Sequence, residues 1–180
     1  ETEHLTLDHL ALINLMLIND DPHDVENVIV DGLVVEKEVI STSNLISLQN
    51  QYDGEISDVL VWGSQFNRQH SFKNGIYAEM KTYFSVLGST FSGGDGSSLK
   101  DHPIYPAGIK HALYRWIDFQ SSYSNNFSIN SAAKGGKVLR YTLVDGCNVT
   151  GGSNGVDFTK HNSNAVGWFG DLIIQNNAFF

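Results

Sequence analysis

Histidine, tyrosine and basic residues cluster in the middle of this chain. His102 stands three residues before Tyr105, and Lys110, His111 and Arg115 follow within ten. A phenol or imidazole can take a proton, and an ammonium or guanidinium can steady a carboxyl group beside the carbon that loses it. Those are the needs of β-elimination from a uronic acid: Tyr105, His102 or His111 as base, Lys110 or Arg115 on the carboxyl. A second pattern is acidic. Asp118 and Asp145 lie in the similar segments IDFQSSYS and LVDGCNV. On successive turns of a repeating fold their carboxyls would stand ~8 Å apart, within the roughly 6.5–9.5 Å of an inverting glycosidase. Tyr77, Asn130, Asp157, Lys134, Lys160 and His161 add aromatic surface, amide, carboxylate and cations. Together they suit a sugar chain, above all an acidic one.

Other chemistry is poorly supplied. The single cysteine, Cys147, excludes an intrachain disulfide framework and a Cys-based zinc site. No cofactor is expected. Calcium is conceivable at Asp20, Asp21 and Asp24, but DDPHD has no EF-hand spacing and reads as a solvated turn. The sequons NFS and NVT matter only in a eukaryotic secretory setting, and GGDGSS is a flexible loop without the strand and helix of a phosphate cradle.

The 180 residues are 41% apolar with a net charge of −9, which allows one domain with a sizeable core and argues against duplex nucleic acid as the main partner. No apolar run approaches the ~18 residues of a membrane-spanning helix. No basic segment precedes an apolar stretch, as a signal peptide would require. Charge is unevenly placed. Residues 1–67 hold 13 acids and 1 base, whereas residues 68–180 hold 7 acids and 10 bases.

The elements that must position these residues are short strands in a repeat. Seven segments share alternating apolar residues, a small or polar residue, then another apolar residue: LALINLML, VIVDGLVV, VLVWGSQF, SVLGSTF, IDFQSSYS, LVDGCNV and LIIQNNAF. Their anchors are Asn14, Gly32, Gly63, Gly88, Ser121, Gly146 and Asn176, suited to corners with left-handed backbone. A second strand pattern begins at Ile46, Ile76, Ile104, Ile129 and Val156. The distances Ile46 to Gly63, Ile104 to Ser121 and Ile129 to Gly146 are all 17 residues. Such a chain winds as a coil whose strands stack turn on turn, about 4.8 Å apart, in parallel sheets. Val28, Val30, Val59, Val61, Phe84 and Val86 then face inward. Ser47, Tyr77, Tyr105, Asn130 and Asp157 face outward as a polar, aromatic ladder about 20 Å long.

The segments resemble the repeats of right-handed parallel β-helix proteins, the architecture of pectate lyases, other polysaccharide lyases and bacteriophage tailspikes. HPIYPAG at 102–108, INSAA at 129–133 and RYTLVDGCNVTGG at 140–152 are similar to consecutive coils of bacterial members associated with polysaccharide. Where many of those carry Lys and Arg, this chain has Asn130 and Ala132. The resemblance implies an all-β, right-handed parallel β-helix (solenoid) of about six to seven coils over residues 1–180. LTLDHLALINLMLI forms a strand pair or, as the alternative, a capping helix. Ending at NNAFF, a poor cap, the domain is expected to belong to a longer chain. It also implies an extracellular or virion-surface protein that binds and degrades polysaccharide as lyase or glycoside hydrolase. The alternative is a non-catalytic glycan-binding or fibre-forming β-helix.

The anchor strands add one further expectation. Leu60, Trp62, Leu87, Leu143 and Ile173 alternate with the inward residues, so one sheet is apolar on both faces. Such a strip marks an interface unless the loops SFKNG or GGDGSSLKDHP fold over it. Lateral association as a homo-oligomer follows, with a trimer favoured by the likeness to tailspikes.

Overall fold

Val28, Val30, Val59, Val61, Phe84 and Val86 are buried, and the intervening Ile29, Leu60 and Ser85 are not. This alternation is the strand period at work, because successive side chains leave opposite faces. The computed structural model describes residues 6–8, 11–12, 15–19, 25–37, 44–50, 56–68, 74–79, 82–93, 102–120, 127–133, 138–150, 154–160 and 168–180. Among them are twenty strands and no helix. No helix is therefore long and apolar enough to cross a membrane among the described residues.

The chain visits three sheets in rotation, and each visit to all three is one lap. The first lap is β1 (Thr6–Asp8), β2 (Ala11–Leu12) and β3 (Leu15–Asn19), and the second β4 (Val28–Asp31), β5 (Val34–Lys37) and β6 (Ile46–Asn50). The third is β7 (Ser57–Trp62), β8 (Gln65–Arg68) and β9 (Asn74–Glu79), and the fourth β10 (Thr82–Leu87), β11 (Thr90–Gly93) and β12 (His102–Pro106). The fifth is β13 (Lys110–Arg115), β14 (Asp118–Gln120) and β15 (Phe127–Ala133), and the sixth β16 (Val138–Asp145), β17 (Asn148–Thr150) and β18 (Asn154–Lys160). β19 (Trp168–Gln175) and β20 (Ala178–Phe179) begin a seventh. Every third strand joins the same sheet, in the orders β1-β4-β7-β10-β13-β16-β19, β2-β5-β8-β11-β14-β17-β20 and β3-β6-β9-β12-β15-β18. Neighbours are parallel throughout, an arrangement compatible with a β-helix. The described part of LTLDHLALINLMLI is strand, so the strand reading holds there and the helical alternative does not.

The stacked Ile residues are in register as expected: Ile46 with Ile76, Ile76 with Ile104, Ile104 with Ile129 and Ile129 with Val156. A second inward column stacks rings. Phe66 lies 4.5 Å from Phe91, and Phe91 lies 5.4 Å from Phe119, centroid to centroid.

The corner between the first two sheets corrects one anchor. Gly32, Gly63, Gly88 and Gly146 have φ of 62°, 57°, 55° and 63°, and their amides donate to Trp62, Leu87, Arg115 and Gln175 of the next lap. In the fifth lap the same place belongs to Trp116, at φ 55°, whose amide donates to Asp145. Ser121 is not the corner. The 17-residue distance from Ile104 to Ser121 was coincidental, since the true distance to Trp116 is 12, equal to Ile76 to Gly88. Both short laps turn from the third sheet to the first without a long connection, between Glu79 and Thr82 and between Pro106 and Lys110. Asn176 is a corner as expected, at φ 55°. Asn14 lies outside the described residues. One residue beyond the corner, small polar side chains satisfy backbone groups that would otherwise be buried unpaired. Ser64 Oγ accepts from Leu33 N, Ser89 Oγ from Ser64 N, and Asn177 Oδ1 from Cys147 N at 2.8 Å.

Candidate functional site

With Ile46, Ile76 and Ile104 pointing inward, the next residue of each strand turns to the outer face of the third sheet. Register sets Ser47 beside Tyr77 and Tyr77 beside Tyr105. The two phenol rings lie 5.8 Å apart and 12° from parallel, and His102 stacks on Tyr105 at 5.7 Å. Polar groups surround them. Tyr77 Oη donates to Glu79 Oε2 at 2.8 Å. Ser47 Oγ accepts from Gln49 Nε2 at 2.6 Å and from Asn44 Nδ2 at 3.2 Å, while Asn74 Nδ2 donates to Asn44 Oδ1. The tyrosines are half-buried, whereas Ser47 and His102 are buried. The patch offers the phenol edges, the Asn44 and Gln49 amides and the Glu79 carboxylate, while Ser47, Asn74 and His102 are themselves buried.

The tyrosines are held in their protonated form. Burial pushes Tyr105 above its ordinary 10.0, with the Glu79 charge adding to it. Tyr77 is pushed up further, first by burial and then by its hydrogen bond to Glu79. Both shifts favour the neutral, hydrogen-bond-donating phenol.

The rest of the expected lyase constellation stands elsewhere. His102 and Tyr105 belong to β12 in the third sheet, but Lys110, His111 and Arg115 belong to β13 in the first. Between them the chain turns through Gly108, whose φ is 67°. Arg115 is engaged: its Nε lies 2.7 Å from Asp145 Oδ2, and its guanidinium lies 4.5 Å from the Trp116 ring centroid.

The expected carboxyl pair is also corrected. Asp118 pairs in register with Asn148 in the second sheet, whereas Asp145 pairs with Arg115 in the first. They are not equivalent positions of neighbouring laps, because the anchor that aligned them was set at Ser121 instead of Trp116. Asp118 accepts from Gln120 Nε2. Asp145 accepts from Asn176 Nδ2 at 2.8 Å and Gln175 Nε2 at 3.3 Å. The Asn176 bond, the Gln175 bond and the Arg115 charge together hold its carboxyl below the usual range.

Asn130 and Asp157 pair in register between β15 and β18. Their side chains, that of Lys160, and residues Lys134, His161, Asp20, Asp21 and Asp24 lie outside the described residues, as do the loops SFKNG and GGDGSSLKDHP apart from Asn74 and Gly75 of the first and Gly93, His102 and Pro103 of the second. Among the described residues no cluster of three His, Cys, Asp or Glu could hold a metal ion.

Sequence reasoning missed the most regular outward feature, on the first sheet. Asn27, Asp58, Tyr83, His111, Tyr141 and Asp171 all have left-handed φ between 52° and 58°. Each stands five residues before its corner, a constant offset that would have revealed the column once Trp116 was aligned. His111 is sandwiched between Tyr83 and Tyr141 at 4.7 Å on each side, so both faces of the imidazole and one face of each phenol ring are covered. Left-handed backbone costs a non-glycine residue ~1–2 kcal/mol, and each stacked pair returns ~0.5–1.5 kcal/mol.

No family model, no curated protein and no solved structure matches this chain. What it does must be argued from its own surfaces.

Proposed function

We propose that this chain is a right-handed parallel β-helix of about six to seven coils that binds polysaccharide outside the cell and does not cleave it. The observation that carries this reading is the outer face of the third sheet, where the half-buried Tyr77 and Tyr105 are stacked beside Glu79, Gln49 and Asn44. A polymer of hydroxyl-rich rings needs amide and carboxylate partners in series and apolar ring surface between them. Strands ~4.8 Å apart supply both repeatedly along the axis.

Cleavage is the weaker reading for three reasons. The phenol that would serve as base is driven toward protonation. The arginine that would hold a uronate carboxyl is paired with Asp145. The two acids that would serve a hydrolase sit on different sheets.

Affinity electrophoresis of the folded chain through gels containing acidic and neutral polysaccharides tests the proposal. At least one polymer should retard it, and Tyr77→Ala or Tyr105→Ala should weaken that binding by roughly three- to tenfold, the worth of one aromatic contact. Neither unsaturated uronate nor new reducing ends should accumulate. No retardation on any polymer overturns the binding. Product formation abolished by Tyr105→Phe and His102→Ala would establish the lyase reading in its place.

A further inference from the structure

The left-handed column of the first sheet has two unlike ends. It runs beside the apolar column Ile29, Leu60, Ser85, Leu113, Leu143 and Ile173, which lies two residues nearer the corner. From the third lap to the seventh its residues are Asp58, Tyr83, His111, Tyr141 and Asp171, an acid at each end of three stacked rings. Register sets Ser57 and Val59 beside Thr82 and Phe84, so Asp58 is level with Tyr83. In the same way Asp171 is level with Tyr141. Each tyrosine therefore has an acid on the side away from His111.

At the Tyr141 end the chain supplies a cation of its own. The Arg140 guanidinium lies 4.8 Å from the Tyr141 ring centroid, and its Nε and Nη2 donate to Asp171 Oδ2 at 3.3 and 2.9 Å. A planar guanidinium can lie on a ring and bond a carboxylate through its edge at once, which a compact ammonium does less well. The Tyr83 end has the same ring and acid, and Asp58 and Asp171 leave the strand alike, at φ 52° and 56°. The residues one place earlier are Ser57 and Thr82, however, and neither is charged. Ser57 Oγ donates to Asp58 Oδ2 at 3.3 Å. Tyr83 is 51% exposed, and Asp58 is exposed as well. Among the described residues that lead into and form this sheet between Val25 and Leu87, the charges are Glu26, Asp31 and Asp58, with no cation.

We infer that the Tyr83 face turned away from His111, together with the Asp58 carboxylate, receives an arginine side chain of another protein. The guanidinium takes the place at Tyr83 and Asp58 that Arg140 takes at Tyr141 and Asp171. Charge favours such a partner, because residues 1–67 hold 13 acids and 1 base and draw a basic segment to these laps. A second copy does not supply the arginine from its described side chains, since Arg115 and Arg140 are already paired with Asp145 and Asp171. The inference does not rest on polysaccharide binding.

Carbon–proton NMR of the full chain, titrated with N-acetyl-arginine amide, tests it. The Tyr83 ring and Asp58 resonances should move along a saturating curve. N-acetyl-citrulline amide, of nearly the same shape without the charge, should leave them in place, and N-acetyl-lysine amide should bind at least about twofold more weakly. Tyr83→Ala should weaken binding of the arginine amide roughly two- to fivefold, the worth of an exposed cation–π contact. Asp58→Asn should weaken it by a similar factor, whereas Tyr83→Phe keeps the ring and should bind as the parent does. Circular dichroism on each variant confirms that the β-structure is retained, and the comparison of the three amides needs only the parent chain. Unmoved resonances, an equal response to the citrulline or lysine amide, or binding undiminished by Asp58→Asn would overturn the proposal. So would a parent chain that sediments as a dimer and is dissociated by the arginine amide, since a second copy would then hold the site.

Discussion

Arg115 Nε and Asp145 Oδ2 lie 2.7 Å apart across one step of the first sheet, in residues paired by register but thirty positions apart in the chain. Asn176, from the lap beyond, donates to the other carboxylate oxygen of Asp145. One acid therefore ties three successive laps together near the corner. Its folded pKa is depressed, first by the Asn176 bond, from an ordinary 3.8. A depressed carboxylate contributes stability that is present above pH 3.8 and lost as pH falls through the lower folded value. Asp145→Asn should lower the thermal midpoint at pH 7, and the gap from the parent chain should close progressively below pH 3.8. Melting curves across that acid range check it.

Two glycines should respond differently to the same added methyl group. A Cβ at Gly88 meets nothing within 4 Å, so Gly88→Ala costs only the left-handed backbone at φ 55°, about 1 kcal/mol. A Cβ at Gly75 collides with the Pro103 carbonyl and the Phe91 ring on the inner side. Both obstacles are buried, so Gly75→Ala should cost at least ~3 kcal/mol. Urea titration of the two variants, compared at constant slope, measures the contrast.

The Phe66–Phe91–Phe119 stack fills the centre of the second sheet's inner face, and all three rings are buried to within 1% exposure. Phe91 contacts a ring on either side. Phe91→Ala should cost ~3–5 kcal/mol, the usual range for an emptied aromatic site. Phe91→Leu keeps most of the volume and should cost less than half as much. Denaturant midpoints for the pair report whether the column behaves as a packed unit.

Alkaline pH should act through the tyrosines. Tyr77, Tyr105 and Tyr114 are all raised above 10.0, burial being the largest cause for each. The neutral phenol is the form the fold favours, so their contribution is complete below pH 10.0 and disappears as pH rises through the folded values. Ultraviolet titration of the phenolates should show Tyr77, Tyr105 and Tyr114 ionising late, together with loss of the β-structure. Tyr114→Phe should remove part of that alkaline instability while leaving the ring packed edge-on against Phe84.

The order of elements was readable from residue types. Alternation around Val59 and Val61 marked a strand, glycines at 32, 63, 88 and 146 marked corners, and the Ile46-to-Val156 series marked strands that stack. Each signal is local, requiring only period-two burial and the freedom of glycine at left-handed φ. The site was less readable. Lys110 and Arg115 stood close to Tyr105 in sequence, yet the turn at Gly108 carried them onto another sheet. Asp118 and Asp145 resembled one another in context, yet a tryptophan occupied the corner that is glycine at positions 32, 63, 88 and 146.

The amino-acid sequence by itself determined that this chain forms parallel strands visited in rotation, because burial at alternate positions and turns at fixed types leave little other choice. Only the tertiary structure decided which side chains meet. The His111 ring between Tyr83 and Tyr141, the Arg115–Asp145 pair, and the apolar column from Ile29 to Ile173 join residues roughly 25 to 31 positions apart. Neighbours there are set by hydrogen-bond register between laps, and connections of unequal length between strands hide that register from any count along the chain.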